Sequence, residues 1–127
     1  MSAVKNKYHD IIVAGQEGRI LSLVVSHKWF EMYASGEKKE DYREITGYWC
    51  KRLLKPHHTD EYIPNDWKDF EYVQIFKGYS SKKLVYEMKG ISTKKPNPTW
   101  SPSEFHNKIL FAIEIGEQVY SNLNEGK

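Results

Sequence analysis

A short charged segment holds the side chains in this sequence that are best suited to bind a phosphate or a base. In "SGEKKEDYR", Lys38 is followed by Asp41 and Arg43. If the segment is extended, Asp41 and Arg43 point to the same side and can form an ion pair. A carboxylate on one edge of the planar guanidinium leaves its outer donors for a ligand. The alternative is a surface salt-bridge set worth about 0–1 kcal/mol, with no ligand.

One predicted helix precedes this segment and another follows it. Before it, "RILSLVV" has no polar face and predicts a buried strand. Ser26 can then cap a helix over "HKWFEMYAS", and Gly36 can end that helix in a left-handed turn. After it, Thr46 can cap "GYWCKRLL", in which Trp49, Cys50 and the leucines form an apolar stripe. The stripe predicts that Cys50 lies in the core.

The later part of the sequence predicts mainly strands. "FEYVQIF" and "KLVYEMKGI" predict two strands joined by "KGYSS", and "ILFAIEIGEQV" predicts a last one. Residues 55–69 and the proline-rich stretch 92–105 predict long loops. Together with the extended segment 37–45, these elements predict an α+β fold in which about five strands form a small β-barrel with two short helices.

The length of 127 residues fits one domain. Residues 1–18 carry one short apolar run and are expected to be a tail or a loosely attached element. We expect the domain to cover residues 19–120, and residues 121–127 to form a polar tail. With 39% hydrophobic and 28% charged residues, the composition is that of a folded chain.

The net charge of +2 hides two segments of opposite sign. From Lys77 to Lys95 six lysines stand against one acid, a balance of +5, whereas Asp60 to Glu71 holds five acids against one lysine, a balance of −4. A local basic patch can attract phosphate without an extreme overall charge. Two ordinary solvated loops explain the charges equally well.

Aromatic residues in the basic segment and the loop after it are further candidates for ligand contacts. Tyr79 lies in a turn with Lys77, and Trp100 lies in the proline-rich loop. Stacking of a base on such a ring contributes about 1–3 kcal/mol. A plain hairpin tip for Tyr79 and structural packing for Trp100 are the alternatives. We expect Tyr42 to pack in the core, since it faces away from Asp41 and Arg43 on a regular strand.

Several classes of site have no support in the sequence. "HHTDE", His57 to Glu61, offers metal-ligating side chains but no second ligand pair at a usual spacing, so no metal site is expected. No nucleotide-cofactor motif is present. The single cysteine, the lack of an apolar run long enough for a membrane span and the lack of a signal peptide predict a cytoplasmic protein that does not enter a membrane.

"GEKKEDYR" resembles the G-x-K-x-x-E-x-R signature of the ASCH domain family, small β-barrel modules related to PUA domains. Gly36, Lys38 and Arg43 match, and Asp41 stands where the family usually has Glu. The resemblance extends over residues 19–119, from the "LSL" strand through "YRE" to the final "IEIGE". It implies a PUA-like barrel of the small phage and bacterial type.

The resemblance also implies a function for the charged segment. ASCH domains are generally proposed to bind RNA or another nucleic acid in a cleft beside the motif. We therefore expect binding of RNA or a nucleotide-like ligand by six residues. These are Lys38, Asp41, Arg43, Lys77, Tyr79 and Trp100.

Some small relatives hydrolyse the acetyl amide of N4-acetylcytidine or show nuclease activity, which gives an alternative enzymatic function. Under it, Lys38 is the base, and Asp41 or Glu104 transfers protons. Those hydrolases carry Thr where this chain has Asp41. A hydroxyl can act as a nucleophile, whereas a carboxylate beside Lys38 holds the lysine charged, so binding is favoured over catalysis. A protein-interaction domain with a merely solubilising charge block is a third hypothesis.

Overall fold

A mixed five-stranded sheet is the main element of the computed structural model, which describes residues 3–56 and 63–123. The strands are β1 (Ile20–Val25), β2 (Glu40–Arg43), β3 (Tyr72–Lys77), β4 (Lys83–Lys94) and β5 (Leu110–Ser121). They are hydrogen-bonded in the order β1-β3-β4-β5-β2. Strand β1 is parallel to β3, while the β3–β4 and β2–β5 pairs are antiparallel. The predicted α+β class with five strands is confirmed.

Three α-helices occur in the described parts of the chain, one more than the sequence predicts. They are α1 (Ala3–Val13), α2 (His27–Ala34) and α3 (Gly47–Leu53). The predicted proline-rich loop is also shorter than expected. Strand β4 continues to Lys94, and 3₁₀ turns occupy Pro98–Trp100 and Ser103–Phe105. Proline suits the first turn of such helices because its missing N–H would have no partner there.

Helix α1 lies where the sequence predicts a tail or a loosely attached element. Its Tyr8 and Ile11 are buried, and the Tyr8 ring packs edge-on against Tyr72 with 5.6 Å between centroids. Two buried side chains three residues apart are enough to attach one helical face. The segment lacks a clear cap and a long apolar stripe, so its sequence gives a weak helix signal. The domain bounds of 19–120 stay a prediction.

The chain forms two compact units. The first comprises Met1–Lys39, Phe70–Lys89 and Ile115–Lys127, and the second comprises Glu40–Asp69 and Gly90–Glu114. Strands β4 and β5 contribute residues to both. One core cluster of the first unit consists of Tyr8, Ile11, Ile20, Tyr72, Val85 and Val119. This cluster joins α1 to the parallel pair β1–β3 and to β4 and β5.

In the first unit, helix α2 ends as the sequence predicts. Gly36 has a φ of +83°, and its N–H donates to the Tyr33 carbonyl at 3.0 Å. Only glycine adopts this left-handed backbone without strain. Ser26 occupies the N-cap position of α2, but its side chain makes no capping hydrogen bond.

The second unit is built on the antiparallel pair β2–β5, in which Asp41 lies opposite Ile113 and Arg43 opposite Phe111. Tyr42, on the other face of β2, forms a core cluster with Leu110 and Ala112. The predicted packing of Tyr42 is thus confirmed. Within the described parts of the chain, no helix is both long and apolar enough to span a membrane.

Candidate ligand-binding cleft

Asp41 and Arg43 form the ion pair that their spacing predicts. The Arg43 Nε lies 2.6 Å from Asp41 Oδ2, and Nη2 lies 3.4 Å from Oδ1. The Asp41 side chain is 5% exposed and that of Arg43 is 20% exposed. The carboxylate thus holds one edge of the guanidinium in a fixed orientation.

Aromatic side chains of α3 complete the surroundings of Arg43. The guanidinium carbon of Arg43 lies 4.8 Å from the Trp49 ring centroid, and that of Arg52 lies 4.9 Å from the same centroid. The ring of Tyr48 packs edge-on against that of Trp49, with 5.2 Å between the ring centroids. Tyr48 is 63% exposed. Arginine over an aromatic face is a favourable cation–π arrangement. Arg43, Arg52, Tyr48 and Trp49 therefore form a layer in which cations and rings are in contact.

This layer borders a cleft of about 340 Å³ in the second unit. The cleft is lined by Tyr42, Arg43, Glu44, Thr46, Tyr48, Trp49 and Phe105. The Lys108 ammonium lies 5.5 Å from the Phe105 ring centroid and 3.7 Å from the Glu44 carboxylate. The lining of the cleft therefore combines aromatic rings with one basic and one acidic side chain, Arg43 and Glu44.

Helix α3 positions two of these rings because it begins immediately after β2. The Thr46 side chain accepts a hydrogen bond from the Trp49 N–H at 3.3 Å, which confirms the predicted cap. A cap of this kind satisfies a backbone N–H of the first helical turn. The backbone of Trp49 is thereby fixed relative to the end of β2.

On the face of β2 opposite Arg43, a buried polar network connects the strand to the loop that follows β4. The Tyr42 hydroxyl donates to Glu40 Oε1 at 2.5 Å and accepts from the Asn97 N–H at 3.0 Å. Lys94 pairs with the other Glu40 oxygen. Burial, and then the hydrogen bond to Glu40, raise the pKa of Tyr42 well above its ordinary value. Tyr42 is therefore a neutral hydrogen-bond bridge.

The loop attached by this network carries two aromatic side chains to the core of the second unit. Trp100 and Phe105 both pack against the cluster that contains Tyr42. For Trp100 the structure shows the packing that was one of its two predicted roles. Ser101 stabilises the loop, because its hydroxyl donates to Asn97 O at 3.1 Å and its carbonyl lies 3.1 Å from His106 Nε2.

Lys38 lies in the first unit, where it is buried against aromatic rings. Its ammonium lies 5.1 Å from the ring centroids of both Trp29 and Tyr33. The backbone N–H of Lys38 donates to the Met32 carbonyl at 3.0 Å. Asp41 and Arg43 belong to the second unit, so a common cleft for the three residues stays a prediction.

The other residues that the sequence singles out are distributed over the two units. Lys77 lies 3.2 Å from Glu31 Oε1 and 5.8 Å from the Phe30 ring centroid. Tyr79, in the turn between β3 and β4, is fully exposed. In the second unit, Glu104 is exposed on the 3₁₀ turn Ser103–Phe105.

Three side chains of this site are not predicted as ligand contacts from the sequence, namely Tyr48, Trp49 and Arg52. The helical spacing places Trp49 on an apolar stripe, but the residue is only half-buried and its ring is close to the guanidinium groups of Arg43 and Arg52. The available signal was the helical spacing of Tyr48 and Arg52, which places a ring and a cation on one helix face.

Among the described residues, no group of three or more His, Cys, Asp or Glu side chains is arranged to hold a metal ion. The segment His57 to Glu61 lies outside the described residues. Comparison with known proteins found no matching family model, no matching curated protein and no matching solved structure.

Proposed function

We propose that the chain binds single-stranded RNA or a nucleotide-like ligand in the cleft beside Arg43 and Trp49. The observation that supports this most strongly is the arrangement of Arg43, which Asp41 holds by its edge and Trp49 contacts on its face. Because this guanidinium is already ordered without a ligand, binding causes only a small loss of side-chain conformational entropy.

The exposed rings supply the second part of this function. Tyr48 is 63% exposed and lies edge-on to Trp49, which makes its ring accessible to an unpaired base. Stacking tolerates any base, and it requires bases that are not paired in a duplex. We therefore propose that single strands bind better than duplexes of the same sequence.

The charges at the cleft are compatible with an RNA backbone. Arg52 and Lys108 lie over the rings of Trp49 and Phe105, while Asp41 and Glu44 contact Arg43 and Lys108. The acidic partners offset much of the positive charge. We expect stacking to contribute more to affinity than phosphate contacts do, and the dependence on salt to be shallow.

The resemblance to ASCH domains supports the same proposal. The motif residue Arg43 lines the cleft and is paired with Asp41. The order of strands and helices from β1 to β5 agrees with the order that the resemblance implies. We propose that the chain is an ASCH-like module of the PUA-like type in which Asp replaces the usual Glu.

Substitution of Tyr48 tests the proposal. A labelled single-stranded oligoribonucleotide is titrated with wild type, Tyr48→Ala and Tyr48→Phe, and fluorescence anisotropy gives Kd. Loss of one stacking ring should raise Kd about tenfold in Tyr48→Ala. Tyr48→Phe retains the ring and should bind like wild type.

Tyr79→Ala is the matched variant for the other exposed tyrosine. Tyr79 is the ring that sequence analysis selects, and it lies in the first unit. If Tyr79→Ala lost affinity and Tyr48→Ala did not, the ligand would bind at the hairpin instead of the cleft. Absence of binding to any single-stranded RNA at low salt would reject the proposal.

A further inference from the structure

A second pocket of the second unit is apolar and holds about 260 Å³. Helix α3, residues 64–67 and strands β4 and β5 contribute to its walls. Its lining includes Cys50, Leu54, Asn65, Trp67, Thr93 and Phe111. None of the described lining residues is charged, so a phosphate group is not the expected occupant.

The walls of this pocket are held by backbone and ring contacts. Leu54 pairs with Trp67 in an isolated β-bridge, and the Lys55 N–H donates to the Asp66 carbonyl at 2.8 Å. The Trp67 ring meets Phe111 edge-on with 5.7 Å between centroids. The pocket therefore exists before any ligand binds, which lowers the cost of binding.

Size and lining restrict what the pocket accepts. An apolar cavity of about 150 Å³ accommodates benzene, whereas sites for drug-sized ligands begin at about 300 Å³. A volume of about 260 Å³ thus matches a bicyclic ring. Two aromatic walls favour a planar ligand, and the Asn65 and Thr93 side chains can donate or accept hydrogen bonds.

We infer that this pocket binds an uncharged purine-sized ring as a free base and, as a second source, accepts one unstacked base of a bound strand. This binding extends the proposed function. Entry of a base from a bound strand rests on that function, whereas binding of a free base does not. Tyr48 and Trp49 of α3 line the cleft, whereas Cys50 of the same helix and Leu54, the residue directly after it, line the pocket. The two candidate sites are therefore both formed in part by α3.

Cys50 provides a direct probe because it is the single cysteine of the chain and is half-buried in the pocket wall. The rate of its alkylation by iodoacetamide is measured by mass spectrometry on the full chain. Adenine at ten times its Kd should slow alkylation about tenfold, since only the unoccupied fraction reacts. Inorganic phosphate is the matched control and should leave the rate unchanged.

Asn65→Gly separates a pocket ligand from a general effect on the thiol. Asn65 has a φ of +68°, so glycine keeps the backbone conformation and removes only the amide side chain. Alkylation without ligand should proceed at the wild-type rate, and the adenine concentration needed for half protection should rise about tenfold. Equal protection of Asn65→Gly and wild type would place adenine elsewhere and overturn the inference.

Two further arms distinguish the pocket from the cleft. Adenine should protect Cys50 in Tyr48→Ala as well as in wild type, even if that variant binds RNA weakly. Protection by adenine without any RNA binding would uphold the pocket and reject the proposed function. RNA binding without protection by adenine up to millimolar concentration would uphold the function and overturn the pocket. Protection by oligoadenylate but not by adenine would also overturn the inference. In that case a strand bound in the cleft would be enough to shield Cys50 from iodoacetamide.

Discussion

Asp41 acts on the cleft through Arg43. Its carboxylate is one methylene shorter than the Glu of the ASCH signature, yet it lies 2.6 Å from Arg43 Nε and is almost fully buried. A hydrogen bond between charged partners is shorter and stronger than one between neutral groups. Asp41 is thus a positioning residue, whose loss should alter both folding and ligand affinity.

Asp41→Asn keeps the size of the side chain and removes its charge. We expect the free energy of unfolding to fall by about 1–3 kcal/mol, since a buried charge-assisted hydrogen bond is weakened. RNA affinity should fall because Arg43 loses its fixed orientation. Urea denaturation measures the first effect and anisotropy the second.

Glu44→Gln is the matched control for that variant. Glu44 pairs with Lys108 at 3.7 Å, and both side chains are about half exposed. Such a pair contributes about 0–1 kcal/mol, so stability should change little. An equal loss in the two variants would contradict a special role for Asp41.

At the scale of elements, helix α3 joins the two candidate sites. Tyr48 and Trp49 line the cleft, whereas Cys50 and Leu54 line the apolar pocket. Because Thr46 caps this helix and also lines the cleft, a change at Thr46 should alter the positions of the α3 rings in the cleft.

Thr46→Ala removes the side-chain acceptor of the Trp49 N–H. The expected loss is about 1 kcal/mol of unfolding free energy, with weaker RNA binding as α3 frays at its first turn. Ser26→Ala is the control, because the Ser26 side chain makes no capping bond to α2. Denaturation curves that show equal losses for the two variants would refute the assigned cap.

Local patterns predicted some of these elements well and missed others. The positions of the five strands, the Thr46 cap and the Gly36 turn follow from alternation, propensity and backbone stereochemistry within a few residues. The Asp41–Arg43 pair follows from the period of a strand. Helix α1 was missed because its stability comes from contacts between Tyr8 and distant residues such as Tyr72.

The contacts of the cleft depend on tertiary structure that no short window of sequence contains. Stacking of Arg43 on Trp49 requires the direction in which α3 leaves β2. Burial of Lys38 against Trp29 and Tyr33 requires the chain to fold back over α2. The sequence predicts a ligand contact or a surface salt-bridge set for Lys38, but the lysine stem and the aromatic faces together bury the residue.

At the scale of the whole molecule, buried tyrosines link stability to alkaline pH. Burial raises the pKa of Tyr86 to about 12, and burial is also the main cause of the raised pKa values of Tyr8, Tyr42 and Tyr72. Above about pH 10 the unfolded chain loses these protons while the folded chain keeps them. The stabilising effect is complete below pH 10 and is lost as the pH rises toward the folded pKa values.

Tyr86→Phe measures the contribution of one such residue. Between pH 10 and 12 the unfolding free energy of wild type should fall more steeply than that of the variant, by about 1.4 kcal/mol per pH unit. Below pH 9 the difference between the two should be constant and reflect the hydrogen bond from Tyr86 to the Tyr33 carbonyl. Parallel curves over pH 10–12 would contradict this linkage.

RNA binding beside Trp49 is tested through the indole N–H signals of the four tryptophans. Single-stranded RNA is titrated into ¹⁵N-labelled protein, with assignments from Trp→Phe variants. The Trp49 signal should shift along a saturable curve that matches the anisotropy Kd, while the Trp29 signal beside Lys38 stays in place. A shift of the Trp29 signal with no change at Trp49 would move the site to Lys38 and contradict the claim.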